Sequence, residues 1–318
     1  MRFKKPKFWD LKKPNLLSYI LMPFTIPVKI NNILLNLKSS KKNSKIKSIC
    51  IGNIYLGGTG KTPATIRLFN ICKNIYSNVC TGKKYYSSQI DEQILLKNKT
   101  NLICERDRTK IIKKAINQNN RLIIFDDGLQ DKKINYDLQI VCFDKKDWIG
   151  NGCILPSGPL REKLDSLKKY DTVFLKSNNY DSSMSQIINS IKNQNPEIKI
   201  FQTYYKPINL NKFNIEDKFI IFSGIGNPRS FREILTANKM NIIEEIVFPD
   251  HNSYKDRDIE KIKEDAKSLN AKIITTEKDY VKLSEKNRAG IDFLEIDLII
   301  EDEEKLINFI KSKIDEKH

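Results

Sequence analysis

The run Gly57-Gly58-Thr59-Gly60-Lys61-Thr62 is the stretch whose residue types specify chemistry most directly. Its glycines let successive backbone N–H groups turn inward around a polyphosphate, and a following helix N-terminus adds partial positive charge. Lys61 has the reach for β- and γ-phosphates, and the Thr62 hydroxyl is an oxygen donor for Mg²⁺. The apolar Ile49-Cys50-Ile51 precedes the run and a predicted helix, Pro63 to Lys73, follows it. Tyr55, Leu56, Gly57, Gly58, Thr59, Gly60, Lys61 and Thr62 therefore lie between a strand and a helix, as a nucleotide phosphate loop requires. Pro63 suits a first helical turn, where its missing N–H has no helical partner. The pattern G-x-x-x-x-G-K-[ST] asks for glycine where Tyr55 stands, and the plain alternative is a glycine-rich turn that binds nothing.

A second candidate is Asp126-Asp127, which closes the apolar run Arg121 to Phe125. Two adjacent carboxylates at a strand tip repel each other and make most sense beside a cation, as in proteins that hold Mg²⁺ next to a phosphate loop. The alternative is an Asx-capped turn. A nucleotide site also needs a group that orients or deprotonates a nucleophile, and two places compete for that role. Asp91-Glu92 follows the polar segment Lys83 to Gln89, and His251 follows Phe248-Pro249-Asp250. A lone histidine is more often structural than catalytic, but paired with an aspartate it makes a base. No convincing N-K-x-D guanine-reading motif is present, so a GTPase is disfavoured.

These groups need a scaffold that gathers strand ends. Strands are predicted over Asn78 to Thr81, Asn101 to Cys104, Arg121 to Phe125, Leu138 to Phe143 and Thr172 to Leu175, with a helix at Lys110 to Asn117. Such alternation gives a parallel sheet covered by helices, with binding groups at the strand carboxyl ends. Tyr204-Tyr205-Lys206-Pro207 reads as a linker. A second α/β run follows: strands Phe219 to Phe222, Ile243 to Phe248, Lys272 to Thr275 and Phe293 to Ile296, and helices Pro228 to Asn238, Asp256 to Leu269 and Asp302 to Ile314. The organisation expected is thus 1–30 as an amino-terminal segment, 31–205 as a phosphate-loop domain and 206–318 as a smaller α/β domain.

The 318 residues carry a formal net charge of +17, which favours anionic partners, although lysine is spread throughout. The six cysteines form no CxxC pair and several sit in apolar runs, so they read as reduced thiols of a cytosolic protein. Only two histidines, His251 and His318, leave little for histidine metal clusters. At the amino-terminus Arg2, Lys4, Lys5, Lys7, Lys12 and Lys13 interleave with Phe3, Phe8 and Trp9, and a basic tract runs from Lys38 to Lys47. Between them the uncharged Asn15 to Val28 places Leu16, Leu17, Ile20, Leu21 and Phe24 at helical spacing, broken by Pro23 and Pro27. It is shorter than the roughly 20 residues a spanning helix needs, and no small-residue cleavage site follows. Two readings remain: an interfacial element on an anionic leaflet, or an amphipathic helix packed on its own domain.

Several motifs occur in the order found in the tetraacyldisaccharide 4'-kinase family of lipid A synthesis in Gram-negative bacteria. They are Gly52-Asn53 with the glycine run, Asp126-Asp127-Gly128-Leu129-Gln130, Leu155-Pro156-Ser157-Gly158-Pro159-Leu160-Arg161-Glu162, Gly224-Ile225-Gly226-Asn227-Pro228, Phe248-Pro249-Asp250-His251 and Thr276-Glu277-Lys278-Asp279. The chain resembles that family over nearly its whole length, and the family's loop tolerates a residue other than glycine at Tyr55. The resemblance implies a P-loop NTPase-like α/β/α sandwich, a second smaller α/β/α domain with a cleft between the two, and an amino-terminal membrane-docking element. It implies transfer of the ATP γ-phosphate to the 4'-hydroxyl of an acylated glucosamine disaccharide 1-phosphate at the cytoplasmic face of the inner membrane. On that basis Lys61 binds phosphate, Thr62, Asp126 and Asp127 serve Mg²⁺, Asp91 is the catalytic base and His251 supports it. Asn53, Gln130, Arg161 and Glu162 are implied cleft residues. Asp131 stands where the family has histidine, Ile90 where it commonly has glycine, and Lys83-Lys84 in a segment usually rich in arginine and glycine.

Two other classes stay open on the sequence. A nucleic-acid-stimulated P-loop ATPase would suit the charge, but no aromatic-basic platform occurs outside residues 1–13, so no nucleic acid partner is expected. A membrane-surface ATP-binding protein without catalysis would suit the replaced histidine and arginines. No obligate protein partner is evident.

Overall fold

The computed structural model describes residues 5–37, 41–42, 45–177 and 181–315. Arg2, Phe3, Lys4, His318 and positions 38–40 and 43–44 of the basic tract lie outside the described residues. Past the amino-terminal helices α1 (Leu16–Leu21) and α2 (Ile26–Leu37), the chain forms β1 (Lys47–Gly52), α3 (Lys61–Lys73), β2 (Val79–Lys84), α4 (Ile90–Lys99), β3 (Leu102–Glu105), α5 (Arg108–Asn117), β4 (Leu122–Asp126) and β5 (Leu138–Asp144). Next come β6 (Thr172–Lys176), α6 (Ser182–Gln194), β7 (Lys199–Pro207), β8 (Lys218–Ser223), α7 (Pro228–Ala237), β9 (Asn241–Val247) and α8 (Asp256–Ser268). The last elements are β10 (Ala271–Thr276), the single turn α9 (Glu277–Tyr280), β11 (Ile291–Leu294), β12 (Ile296–Ile300) and α10 (Glu303–Asp315).

The chain divides into two compact units. The larger comprises Lys5–Tyr85, Lys99–Tyr204 and Leu298–His318, and the smaller takes Tyr86–Asn98 and Tyr205–Asp297. In the larger unit an eight-stranded sheet has the order β12-β7-β6-β5-β1-β4-β2-β3, with parallel pairing between neighbours from β7 to β3. Alternate strand residues face opposite layers. Cys50, Ile123, Phe125, Val141, Phe143, Val173 and Leu175 pack with Ile111, Ile112 and Ala115 of α5 and Met184, Ile187 and Ile191 of α6. Their neighbours Ile49, Ile51, Ile124, Ile140 and Phe174 are equally buried, and α3 packs on β1, β2 and β4 while α10 packs on β5. A sheet covered on both faces explains why these strands read as continuous apolar runs.

The smaller unit is a four-stranded parallel sheet in the order β9-β8-β10-β11. Phe219 and Ile221 join Phe231, Ile234 and Leu235 of α7 in one layer. Ile220 and Phe222 join Ile259, Ile262 and Ala266 of α8 in the other.

Four expectations are corrected. A single cut at residue 205 does not describe the division, because α4 belongs with the smaller unit and α10 returns to the larger one. There Leu306, Ile310 and Ile314 are buried, which fixes α10 to the sheet it completes. The segment Tyr204 to Pro207 is the end of strand β7 rather than a linker, and Phe293 to Ile296 spans the break between β11 and β12. An amino-terminal boundary at residue 30 falls inside α2. Trp9, Ser18 and Thr25 of the amino-terminal segment are buried in the larger unit, whereas Leu16, Leu17, Ile20 and Phe24 are more than half exposed.

Candidate functional site

In the larger unit the glycine run leaves β1 and enters α3, whose first residue is Lys61. Gly60 has φ +86°, a left-handed conformation that a Cβ would oppose. Asn53, fully buried, braces the loop from beneath by donating to the Gly57 carbonyl at 3.2 Å and the Thr59 hydroxyl at 3.0 Å. Tyr55 turns its ring into an apolar cluster with Ile154 and Leu160, and its hydroxyl accepts from Lys5 Nζ at 2.6 Å. Glycine is unnecessary there because the backbone at Tyr55 is not left-handed, and the ring lies beside Gly57, where a Cβ would meet it at 3.1 Å. The segment that follows Ile154 clamps the loop, with Leu56 N donating to Pro159 O at 2.8 Å and Arg161 N to Ile54 O at 2.7 Å.

Asp126 ends β4 beside Thr62. Its Oδ2 accepts from the Thr62 hydroxyl at 3.1 Å and from Lys83 Nζ at 2.7 Å. Asp127 follows with φ +56°, its N–H donating to Ile51 O at 2.8 Å, so the two carboxylates of the pair point to different partners. Lys61 Nζ lies 3.9 Å from Asp127 Oδ2, and Arg161 Nη1 lies 3.4 Å from its Oδ1. Arg161 also donates to Gln130 Oε1 at 3.2 Å, while Gln130 Nε2 donates to Asn53 O at 2.9 Å and Glu162 Oε1 at 3.0 Å. Asn53, Gln130, Arg161 and Glu162 are thus one bonded chain behind and beside the loop. Asp131 is held by Arg108 in an ion pair at 3.0 Å.

The donor chemistry suits Mg²⁺. Thr62 and Asp126 offer hard oxygens that converge at the helix start, and among the described residues no group of three or more His, Cys, Asp or Glu side chains forms a metal cage by itself. Mg²⁺ is commonly bound in this way, by one or two carboxylates with nucleotide phosphates completing its shell.

The smaller unit holds the second group of site residues. Asp91 lies in the first turn of α4, and both its oxygens are 2.9 Å from His251 Nδ1. His251 adopts φ +56° in the loop after β9, its N–H bonded to Gly224 O at 3.2 Å. Lys278 and Lys282, which follow β10, each place Nζ 3.7 Å from Asp91 Oδ2. Burial alone would raise the Asp91 carboxyl, but the hydrogen bond from His251 and the charge of Lys278 outweigh it and hold it below its ordinary value. Burial likewise works against the charge on Lys278, but Glu92, Asp250 and Asp91 outweigh it and keep the ammonium protonated. Asp279, fully buried, ties the floor together: it accepts from Gly224 N at 3.0 Å, Tyr254 Oη at 2.8 Å, Thr276 Oγ1 at 2.6 Å and Lys282 Nζ at 2.6 Å.

Sequence comparison decides the family. The family model described as Tetraacyldisaccharide-1-P 4'-kinase matches residues 16–81 and 76–315. The chain belongs to the tetraacyldisaccharide 4'-kinase family. The family's protein of that name from Pelagibacter ubique is 45% identical over 320 residues, covering 100% of both chains. That of Rickettsia bellii is 33% identical over 89% of this chain and 90% of its own. Among solved structures, LpxK from Aquifex aeolicus in complex with ATP aligns with a TM-score of 0.69 at 24% identity, over 94% of this chain and all of that one, which supports the fold.

The sequence pointed to the glycine run, the acidic pair, Asp91 and His251. It gave no role to Lys282 or Arg108, which carry no motif and matter only through what they touch, and it marked Lys83 only as a departure from the family's arginine- and glycine-rich segment. Lys278 stood in a quoted motif without a function attached.

Proposed function

We propose that this chain is an ATP-dependent kinase that phosphorylates the 4'-hydroxyl of a tetraacylated glucosamine disaccharide 1-phosphate. The family membership carries the acceptor, and the loop from Tyr55 to Thr62 carries the nucleotide. In this reading the loop N–H groups and Lys61 neutralise the transferring phosphoryl group, and Arg161 keeps Asp127 oriented. Thr62 and Asp126 would hold Mg²⁺, with Asp127 nearby, and the ion would supply charge neutralisation at the phosphates. The acceptor oxygen bonds to the γ-phosphorus as the bond to ADP breaks, and the hydroxyl proton passes to the Asp91–His251 pair. Asp91 is the base and the imidazole on its carboxylate supports it; of the two, the His251 side chain is the exposed one at 22%, against 1% for Asp91.

The reading extends to location. No helix among the described residues is long and apolar enough to cross a membrane. Leu16, Leu17, Ile20 and Phe24, with Ile26, Ile30, Ile33 and Leu34 of α2, expose apolar side chains close in sequence to Lys12, Lys13 and Lys29. That combination suits an anionic lipid surface, where the acyl chains of the substrate lie, and the cytoplasmic face of the inner membrane is the place it implies.

The test is phosphate transfer from labelled ATP, with Mg²⁺ and detergent, to the tetraacylated disaccharide 1-phosphate. Labelled bisphosphorylated product is expected from the wild type, with a loss of about 10²–10³-fold or more for Lys61→Ala. ATP binding without product would return the chain to the binding-only reading.

A further inference from the structure

Lys83 sits on β2 directly opposite Asp126 of β4 in the parallel register, with a side chain 2% exposed. Its ammonium is 2.7 Å from Asp126 Oδ2, the same oxygen that accepts from the Thr62 hydroxyl at 3.1 Å. Thr65 Oγ1 approaches the other oxygen at 3.4 Å. The Asp126 oxygen that faces the Thr62 hydroxyl, where those two residues would hold a divalent ion, is therefore already occupied by a lysine. Neither partner of a buried ion pair can be abandoned cheaply, since a buried ammonium without a counter-charge is strongly disfavoured. Lys61 and Arg161 already lie beside Asp127, so before nucleotide arrives a divalent cation meets three neighbouring positive groups.

We propose that Lys83 is a positioning residue that reserves Asp126 for metal arriving with a polyphosphate. With no nucleotide, the Lys83 ammonium holds the carboxylate and keeps free divalent cations out. With nucleotide present, phosphate oxygens supply the counter-charge that Lys83 gives up, and Asp126 passes to Mg²⁺. The proposal rests on the nucleotide-site reading given above. It requires two affinities to move in opposite directions when the charge at position 83 is removed.

The test uses the full chain and two titrations, Mn²⁺ alone as a spectroscopic stand-in for Mg²⁺, and Mg²⁺ with ATP. Lys83→Met should bind bare Mn²⁺ about tenfold or more tightly than the wild type, and Mg²⁺-ATP about tenfold or more weakly. Loss of folding would weaken both, so the crossing is not a structural effect. Lys83→Gln, which keeps a donor for Asp126 without the charge, should give the same crossing and serves where the methionine variant is unstable. Bare-metal affinity that is unchanged or weaker in a folded variant overturns the role of Lys83. Wild-type chain that binds no ATP, with Lys61→Ala indistinguishable from it, overturns the parent reading instead.

Discussion

Asp91 shows how far a single residue's chemistry depends on its surroundings. In the sequence it is an aspartate that follows a polar segment; in the fold its carboxylate faces His251, Lys278 and Lys282. Asp91→Asn should lower kcat by about 10²–10⁴-fold while leaving the Kd for ATP unchanged, measured by single-turnover transfer and calorimetry. Because the folded carboxyl titrates below its unfolded value of about 3.9, its contribution to stability is complete above that pH and is lost as pH falls through the lower folded value. Acid unfolding followed by circular dichroism should accordingly be less steep below about pH 4 for Asp91→Asn than for the wild type. Asp279 is a different case, fully buried and bonded to four donors. Asp279→Ala should cost roughly 3–5 kcal/mol in denaturant unfolding, because the Lys282 ammonium and the Gly224 N–H lose their buried partner.

At the level of elements, the amino-terminal segment packs on the larger unit with some of its side chains and leaves other, apolar ones exposed. Trp9 is buried, its indole N–H donating to Pro156 O at 3.1 Å. Asn151 Nδ2 donates to Ser18 Oγ at 2.9 Å and to Ser157 O at 3.0 Å, and the Ser157 hydroxyl donates to Ser18 O at 2.5 Å. The helices are thus fastened to the segment that clamps the phosphate loop, and Asn32 of α2 donates to Arg161 O at 2.9 Å. Asn151→Ala should cost about 1–3 kcal/mol, since it strands buried carbonyl and hydroxyl groups, and should raise proteolysis between residues 5 and 37. The exposed apolar face is the part for which membrane docking is proposed. Replacing Leu16, Leu17, Ile20 and Phe24 together by serine should leave the melting temperature within a few degrees and weaken binding to anionic vesicles by about 10²-fold or more in co-sedimentation.

For the whole molecule, thiol chemistry reports which strands are interior. Burial pushes the thiols of Cys50, Cys72, Cys80 and Cys142 up to about 12, while Cys104 and Cys153 are only partly covered. Iodoacetamide at pH 8 should label Cys104 and Cys153 first in peptide mass spectrometry, and early labelling of Cys50 or Cys142 would contradict the two-faced burial of the larger sheet. The α/β class was legible because parallel strands buried on both faces must be written as apolar runs such as Leu122 to Phe125. The division of the chain was not. Local pattern cannot say that α4 belongs to the smaller unit or that α10 returns to the larger one, because a helix's own residues do not record what its buried side chains will meet.

The sequence by itself determined the phosphate loop, since glycine spacing, lysine and threonine act through backbone geometry set within a few residues. It also determined the acidic pair at a strand tip and, through the order of its motifs, the family. Tertiary structure alone decided what each charge faces. Asp91 and His251 are 160 positions apart and meet at 2.9 Å, and Lys83 finds Asp126 only because β2 and β4 are neighbours in the sheet. Charges interact through space and not along the chain, so partners brought together by folding leave no local signature in the residues that separate them.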